Sequence, residues 1–296
     1  MNSLKSEISK IELTPQFWRD YAATRQRSLA RQRKKVATGG KWDRMAKHYH
    51  TFEEDEDFKA EQEWVIGRMQ RRQMLAADLD IVDIACGPGT HCFAFAKLCR
   101  QVTAVDVSEK MIARVLEKKQ EKGVKNLEVV CRDFYSFQPE TTYDTVFVSM
   151  SPILNELESV DRLLGMSRRY LALVYWAGVR ENPLFESCYR MIYNEDYRWD
   201  ALDITVIFNY LNALGYSPEI SYLHPVWKRR DTLDNTVEHI IWHLEFYRDL
   251  GADEKERVRQ LVAERVDDQG MVTYHTRVRK GALLLDLAAG QRKPAE

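Results

Sequence analysis

The chain has 296 residues, and its 44 Lys and Arg against 45 Asp and Glu leave a formal net charge of −1. This length can bury a large core, either as one elaborated domain or as a domain with a lid. No apolar run approaches the ~20 residues that a membrane span needs, and the start Met1–Glu7 lacks the apolar core of a secretion signal. We therefore expect no membrane partner and a cytoplasmic location.

The charge is unevenly distributed along the chain. Residues 1–50 hold 12 Lys and Arg against 4 Asp and Glu, a local balance of +8. Such an arm can contact nucleic acid or an anionic substrate, although a solvated helix face is the more common explanation. We interpret residues 1–57 as a basic, helical N-terminal lid.

Two helices are predicted before the first strand. Thr14-Pro15 resembles an N-cap with proline in the first helical turn, which predicts a helix to about Lys35. An aromatic-rich stretch from Lys41 to His50 follows, and a second helix is expected from about Phe58 to Leu75.

A short apolar run then breaks into a glycine-containing turn. Residues 81–85, Ile-Val-Asp-Ile-Ala, are followed by Cys86-Gly87-Pro88-Gly89-Thr90 and a helical pattern over 91–100. This order predicts a buried parallel strand, a loop that lets backbone approach a ligand, and a helix N-terminus aimed at that ligand. The dinucleotide fingerprint is disfavoured because Cys92 stands where its third glycine is expected.

Strands and helices then alternate at intervals of roughly 25 residues, as parallel α/β units do. Further strands are predicted over 101–107, 127–131, 143–150 and 170–176, with helices ending near Lys122 and Met166. The alternation predicts a doubly wound α/β sheet with its ligand at the carboxyl ends of the strands.

Beyond Gly178 the pattern is less regular. We treat 58–296 as one domain with helical additions at about 179–215 and 231–267. Within it, a strand is expected over 219–228, and a closing pair of strands over 271–277 and 281–287.

Polar residues stand where several predicted strands end. Asp106 ends the second strand, Asp133-Phe134 follows the third, and Ser149 ends the fourth. An acid about 17 residues past the loop can accept both ribose hydroxyls, and the glycine loop can admit the tail of a nucleoside ligand. Each aspartate taken alone could instead cap the next helix.

The order and spacing of these residues resemble the class I S-adenosylmethionine-dependent methyltransferases, over about Trp42 to Trp176. The resemblance implies a Rossmann-like methyltransferase sheet, mostly parallel with an antiparallel C-terminal strand, and S-adenosylmethionine as cofactor. It also implies which residues hold the cofactor's methionine end, ribose, adenine and sulfonium. These implied cofactor residues are Tyr49, Asp83, Ala85, Gly87, Gly89, Asp106, Val107, Met111, Asp133, Phe134 and Ser149.

Three features bear on that resemblance. Ala85 stands where many members have glycine, which is tolerable if its φ is negative. The turn that begins at Ser149 with Met150-Ser151-Pro152 differs from the Asn-Pro-Pro-aromatic turn of enzymes that methylate nucleobase amino groups. Tyr49 could contact the cofactor carboxylate or simply pack.

No catalytic base is evident, and none is required for an in-line methyl transfer. His239 and His243 have the spacing of a metal pair but no third ligand, so we predict no metal site and assign them to packing or pocket lining. The five cysteines are interpreted as reduced structural thiols. Candidate residues for the acceptor pocket are Ser151, Tyr193, Tyr197, Trp199, His224 and Trp227.

The leading hypothesis is a methyltransferase that acts on an O, N or S atom of a small-molecule acceptor. One alternative is an RNA or protein methyltransferase that docks through the basic N-terminal helix. Another is a non-catalytic partner or sensor that binds S-adenosylmethionine. The sequence leaves the oligomeric state open.

Overall fold

A computed structural model describes residues 13–32, 39–46, 56–198 and 202–288 of the chain. The helices are α1 (Pro15–Gln32), α2 (Gly39–Met45), α3 (Glu56–Arg71), α4 (Cys92–Ala96), α5 (Glu109–Glu121), α6 (Leu157–Met166), α7 (Pro183–Tyr193), α8 (Ile204–Ala213), α9 (Leu233–Leu244) and α10 (Ala252–Ala263). The strands are β1 (Asp80–Ile84), β2 (Gln101–Asp106), β3 (Leu127–Cys131), β4 (Tyr143–Ser149), β5 (Ser167–Glu181), β6 (Glu219–Leu223), β7 (Val226–Thr232) and β8 (Met271–Asp286).

The strands form one mixed sheet in the order β3-β2-β1-β4-β5-β8-β6, with β7 also paired to β8. Strands β1 to β5 are mutually parallel, and β8 runs antiparallel to β5, β6 and β7. The predicted doubly wound sheet with an antiparallel C-terminal strand is confirmed. Because parallel strands end at the same edge, the loops after β1, β2 and β4 meet there.

Helices cover both faces of this sheet. On one face, α6 and α8 pack on Val82, Val146 and Leu171. On the other, α3, α4 and α5 pack on Ile81 and Ala104. The central parallel strands β1, β2 and β4 are therefore buried on both sides over most of their length, which explains their largely apolar sequences.

The C-terminal part of the sheet differs from the prediction. The expected pair over 271–277 and 281–287 is one strand, β8, whose residues pair with β5 from Tyr170↔Asp286 to Glu181↔Arg277. Gly281 does not turn the chain; it lets β8 pass close to α8, since a Cβ there would lie 2.6 Å from Ile204. The single strand expected over 219–228 is two strands, β6 and β7.

Strands β5 and β8 extend beyond the carboxyl end of β4, which pairs with β5 only as far as Ser149↔Val174. A bulge between Trp176 and Val179 contains Gly178, whose φ is +81°. We call the part of the sheet formed by residues 175–181, 226–232 and 271–280 the sheet extension. Helices α7, α9 and α10 pack on it around a separate apolar core.

The N-terminal helices contact two different parts of the molecule. Helix α1 packs on α8, and Arg19 forms an ion pair with Asp161 at 2.8 Å while donating to the hydroxyl of Tyr210. Helix α2 packs beside α5. In the described ranges, no helix combines the length and the apolar character needed to cross a membrane.

Substitution of Gly281 by alanine tests the continuous β8 strand. The added Cβ would collide with Ile204, so we expect Gly281→Ala to cost about 1–3 kcal/mol of unfolding free energy, as overpacking does. Gly165→Ala is the matched control, because nothing lies within 4 Å of a Cβ there and alanine in a helix gains about 0.5–1 kcal/mol over glycine. Urea unfolding measures both, and a neutral effect of Gly281→Ala would contradict the close approach.

Candidate cofactor and acceptor site

The loop after β1 is built from left-handed backbone. Ala85, Gly87 and Gly89 have φ values of +57°, +55° and +85°. The negative φ that would make alanine easy at position 85 is therefore not found, and an L-residue in this region costs roughly 1–2 kcal/mol. At Gly89 a Cβ would also lie 2.9 Å from the Phe93 ring, whereas at Gly87 it would meet nothing within 4 Å.

Asp106 ties this loop to the next strand. Its carboxylate accepts hydrogen bonds from the backbone N–H of Gly87 and of Ser108, both at 2.9 Å. The helix cap of α5 is the Ser108 side chain, which accepts from the N–H of Met111, so Asp106 is not that cap. Asp106 is 8% exposed, and burial raises its pKa although the backbone hydrogen bonds oppose this.

Asp83 lies beneath the same loop. It is 1% exposed, and it accepts a hydrogen bond from the Cys92 thiol at 3.3 Å. Burial raises the pKa of Asp83 to about 7, with a further contribution from the negative charge of Asp106. Hydrogen bonding to Cys86 and burial raise the pKa of Cys92 well above its usual value, so this thiol remains a donor.

Helix α2 closes the site from the N-terminal side. The Asp43 carboxylate accepts from the Ser108 hydroxyl and, at 3.2 Å, from the N–H of Lys110. Trp42 packs edge-on against Trp242 of α9, with ring centroids 5.5 Å apart. The segment predicted as a lid thus bridges the start of α5 and a late helix.

The other implied cofactor residues fall into three groups. Val107, Asp133 and Ser149 are half-buried at the ends of β2, β3 and β4. Met111 and Phe134 are buried, at 2% and 5% exposure. The Phe134 ring packs in the core beneath the Arg162 guanidinium. Tyr49 lies outside the described residues.

The candidate acceptor residues are not all brought together. Tyr193 and Tyr197 belong to the aromatic core of α7 and α9, and the Tyr193 hydroxyl donates to the carbonyl of Leu244. His224 is exposed at the turn between β6 and β7. Ser151 caps a short 3-10 helix near the end of β4. Trp199 lies outside the described residues.

Trp227 is the candidate that meets a charged cluster. Its indole N–H donates to Glu61 of α3, and the other oxygen of that carboxylate accepts from Lys280 at 2.6 Å. The Glu61 and Lys280 side chains are 6% and 9% exposed. Trp227 also packs edge-on against Trp176, at 5.9 Å between ring centroids.

His91, at the start of α4, connects this cluster to the glycine loop. Its ring lies 4.8 Å from that of Phe147 on β4. Burial lowers the pKa of His91 to about 3, and the positive charge of Lys280 contributes to the shift. The imidazole is therefore neutral at physiological pH.

The comparison with protein families agrees with this geometry. Residues 81–172, from β1 into β5, match the model of a family described as a methyltransferase domain. Over these residues the chain is similar to methyltransferase domains.

Three solved structures illustrate how distant the similar proteins are. The YcgJ protein of Bacillus subtilis is 15% identical, over 75% of this chain and 97% of its own, with a TM-score of 0.48. The N-methyltransferase NodS of Bradyrhizobium japonicum is 12% identical, over 79% and 97%, with a TM-score of 0.45. DhpI in complex with S-adenosylhomocysteine is 18% identical, over 62% and 88%, with a TM-score of 0.46. No curated protein matches the chain.

Sequence reasoning missed Glu61, His91 and Lys280 of the candidate site. Glu61 and Lys280 are 219 positions apart, so no local motif joins them. One signal was available for Lys280. It continues the alternating series Val272, Tyr274, Thr276 and Val278 on the buried face of β8.

The raised pKa of Asp83 predicts a pH-dependent stability. A carboxyl group whose pKa is higher in the folded than in the unfolded state stabilises the fold at pH values below its unfolded-state pKa. That stabilisation is lost as the pH rises through the folded-state pKa. We expect the unfolding free energy of the wild type to fall relative to Asp83→Asn between about pH 4 and pH 7, by on the order of a few kcal/mol. Denaturant titrations across this range measure the difference, and parallel curves for the two proteins would contradict the burial of an ionisable Asp83.

Proposed function

We propose that the enzyme transfers the methyl group of S-adenosylmethionine to an O, N or S atom of a small molecule. One observation carries this proposal. The carboxyl edge of the sheet presents, on one face and in strand order, Asp106, Asp83, Ser149, Trp176 and Lys280. This edge of the sheet therefore has two adjoining halves. One is a polar half around the glycine loop, and the other is a half lined by indole rings.

The first half fits the cofactor. Gly87 is half-buried with open space where a side chain would stand, so backbone can approach a ligand there. Each oxygen of the Asp106 carboxylate accepts one backbone hydrogen bond. A carboxylate can accept about four hydrogen bonds, so Asp106 can also accept from a ligand. We assign the ribose hydroxyls to Asp106 and the methionine end to the loop from Ala85 to Gly89 with Asp83 beneath it. Val107, Met111, Asp133 and Phe134 are proposed for the adenine.

The second half fits a small acceptor rather than a polymer. Helices α7, α9 and α10 cover the sheet extension, and Trp42 of α2 contacts α9 across the site. We infer that these elements leave room for a small acceptor but not for a polymer. The alternative is an RNA or protein substrate that docks through the basic N-terminal helix. It is less favoured because Arg19 of that helix already pairs with Asp161 and donates to Tyr210.

Methyl transfer requires the protein mainly to align the two reactants and to exclude water. The bound cofactor supplies an electrophilic methyl group on a positively charged sulfur. Holding a nucleophile in line with that methyl group can contribute about 7–11 kcal/mol towards the barrier. Trp42 and the helical additions would exclude water, and the neutral ring of His91 adds no charge that repels the sulfonium.

Transfer of labelled methyl groups tests the acceptor type. We expect label from S-adenosylmethionine to enter the small-molecule fraction of a cell extract, and not its RNA or protein fractions. Replacement of Arg31, Arg33, Lys34 and Lys35 by glutamine should leave this transfer intact. Label in RNA or protein that disappears in the quadruple variant would contradict the proposal, since phosphate contacts depend on such cations.

A further inference from the structure

A carboxyl group is buried beneath the glycine loop with no cation bound to it. Asp83 is 1% exposed, and the neutral thiol of Cys92 donates a hydrogen bond to it at 3.3 Å. In the described part of the chain, Asp83 forms no ion pair. An ionised carboxylate in such surroundings is costly unless it is paired. Burial accordingly raises the pKa of Asp83 to about 7, so the free protein holds this acid protonated under mildly acidic conditions.

The groups nearest to Asp83 are neutral or negative. The Cys86 thiol is hydrogen-bonded to that of Cys92, and burial outweighs this bond and raises the pKa of Cys86 to about 11. The bond to Cys86 and burial raise the pKa of Cys92 as well, so both thiols stay uncharged. Asp106 contributes a negative charge that raises the pKa of Asp83 further. All of these neighbours disfavour ionisation of Asp83 or leave it without a compensating charge.

Groups further from this carboxyl are apolar, neutral or paired. Opposite it on the neighbouring strands are Ala104 and Phe147. The His91 ring, which lies 4.8 Å from that of Phe147, is neutral because burial lowers its pKa to about 3. Lys280 is paired with Glu61 at 2.6 Å. A bound ligand can supply the positive charge that an ionised carboxylate requires at this position.

An ammonium group at the glycine loop has the required charge. The methionine end of S-adenosylmethionine and of S-adenosylhomocysteine carries one, and we assigned that end to the loop that starts at Ala85, two residues after Asp83. An opposite charge within roughly 4–6 Å lowers the pKa of a carboxyl group by about 1–3. The ammonium can therefore act through the loop, without direct contact with the buried side chain.

We propose that Asp83 selects ligands that carry an ammonium group, and that it releases a proton to solvent when such a ligand binds. The inference rests on the proposed function, which places the methionine end at this loop. The O–H bond of the Asp83 carboxyl breaks, its electron pair stays on the oxygen, and the buffer takes up the proton. The ligand ammonium keeps its proton and is attracted to the new carboxylate, to which the Cys92 thiol continues to donate.

Proton release fixes the direction of the pH dependence. A binding reaction that releases a proton is favoured by higher pH. The affinity for S-adenosylhomocysteine should therefore rise with pH below the pKa of about 7 that Asp83 has in the free protein. The slope should reach at most about tenfold per pH unit, which corresponds to one proton, and the affinity should level off above that pKa.

Calorimetry on the full chain counts the protons directly. The heat of S-adenosylhomocysteine binding is measured in two buffers of different ionisation enthalpy, over a range of about pH 5.5–7.5. At about pH 6 we expect release of about 0.4–0.9 proton per bound ligand. The comparison ligand is 5′-methylthioadenosine, which has the nucleoside and the sulfur but no ammonium. It should release no proton, and it therefore also shows whether Asp106 at the ribose is a source of protons.

Two variants locate the source of the proton. Asp83→Asn should abolish proton release and flatten the pH dependence of S-adenosylhomocysteine affinity, because the amide does not titrate. Asp80→Asn is the matched control. Asp80 begins the same strand at its other end and pairs with Arg100 at 2.6 Å, so its substitution should leave the proton count unchanged. Circular dichroism checks the fold of each variant. If Asp83→Asn does not fold, the wild-type comparison of the two ligands decides the question.

The outcomes separate the two proposals. Binding of S-adenosylhomocysteine with no proton release across this pH range overturns the role of Asp83 alone. Equal release with 5′-methylthioadenosine, release that persists in Asp83→Asn, or release that is lost in Asp80→Asn also overturns it. Failure of S-adenosylhomocysteine itself to bind would instead count against the proposed function.

Discussion

The site depends on the carboxylate of Asp106. Its two hydrogen bonds, to the N–H of Gly87 and of Ser108, join the loop after β1 to the start of α5. The bond to Ser108 is buried and the bond to Gly87 is partly buried, and an unmade hydrogen bond is expensive in such surroundings. They hold the loop in a left-handed conformation that includes Ala85 at φ +57°. The strain at this alanine is thus offset by the contacts around it, as is common at binding sites.

The second constraint is the long pairing of β5 with β8. Beyond the end of β4 the two strands continue as the sheet extension, and the bulge at Gly178 lets both Trp176 and Arg180 face inward. Glu61 of α3 then joins Lys280 of β8 to the parallel half of the domain. A buried pair of this kind is weak evidence for stability. The pair lies between the polar half of the sheet edge and the sheet extension, and it links the two.

The parallel half could be predicted from sequence because each of its signals is local. The apolar run 81–85, the glycines after it and the acid at Asp106 lie within one strand–helix–strand unit, and the structure brings them together at one edge. The Ser108 cap and the turn after α5 at Gly123 are equally local.

The indole-lined half could not be predicted in the same way. Lys280-Gly281 resembles a turn, yet both residues lie inside β8 because α8 needs a glycine there. The Glu61–Lys280 pair joins distant parts of the chain, and the pairing of β7 with β8 that places Arg229 depends on tertiary register. Aromatic residues such as Tyr193 and Tyr197 were good candidates by composition alone, but they pack in the core of the helical additions.

The most direct test of the account is a double-mutant cycle at the ribose position. It compares the affinities of wild type and Asp106→Ala for S-adenosylhomocysteine and for its 2′-deoxy analogue, measured by calorimetry. If Asp106 accepts the ribose hydroxyl, the wild type should lose about 1.5–3 kcal/mol of binding free energy with the deoxy analogue, and the variant should bind both ligands equally. A wild type that does not distinguish the ligands, or a variant that still does, would show that Asp106 only holds the loop and that the ribose binds elsewhere.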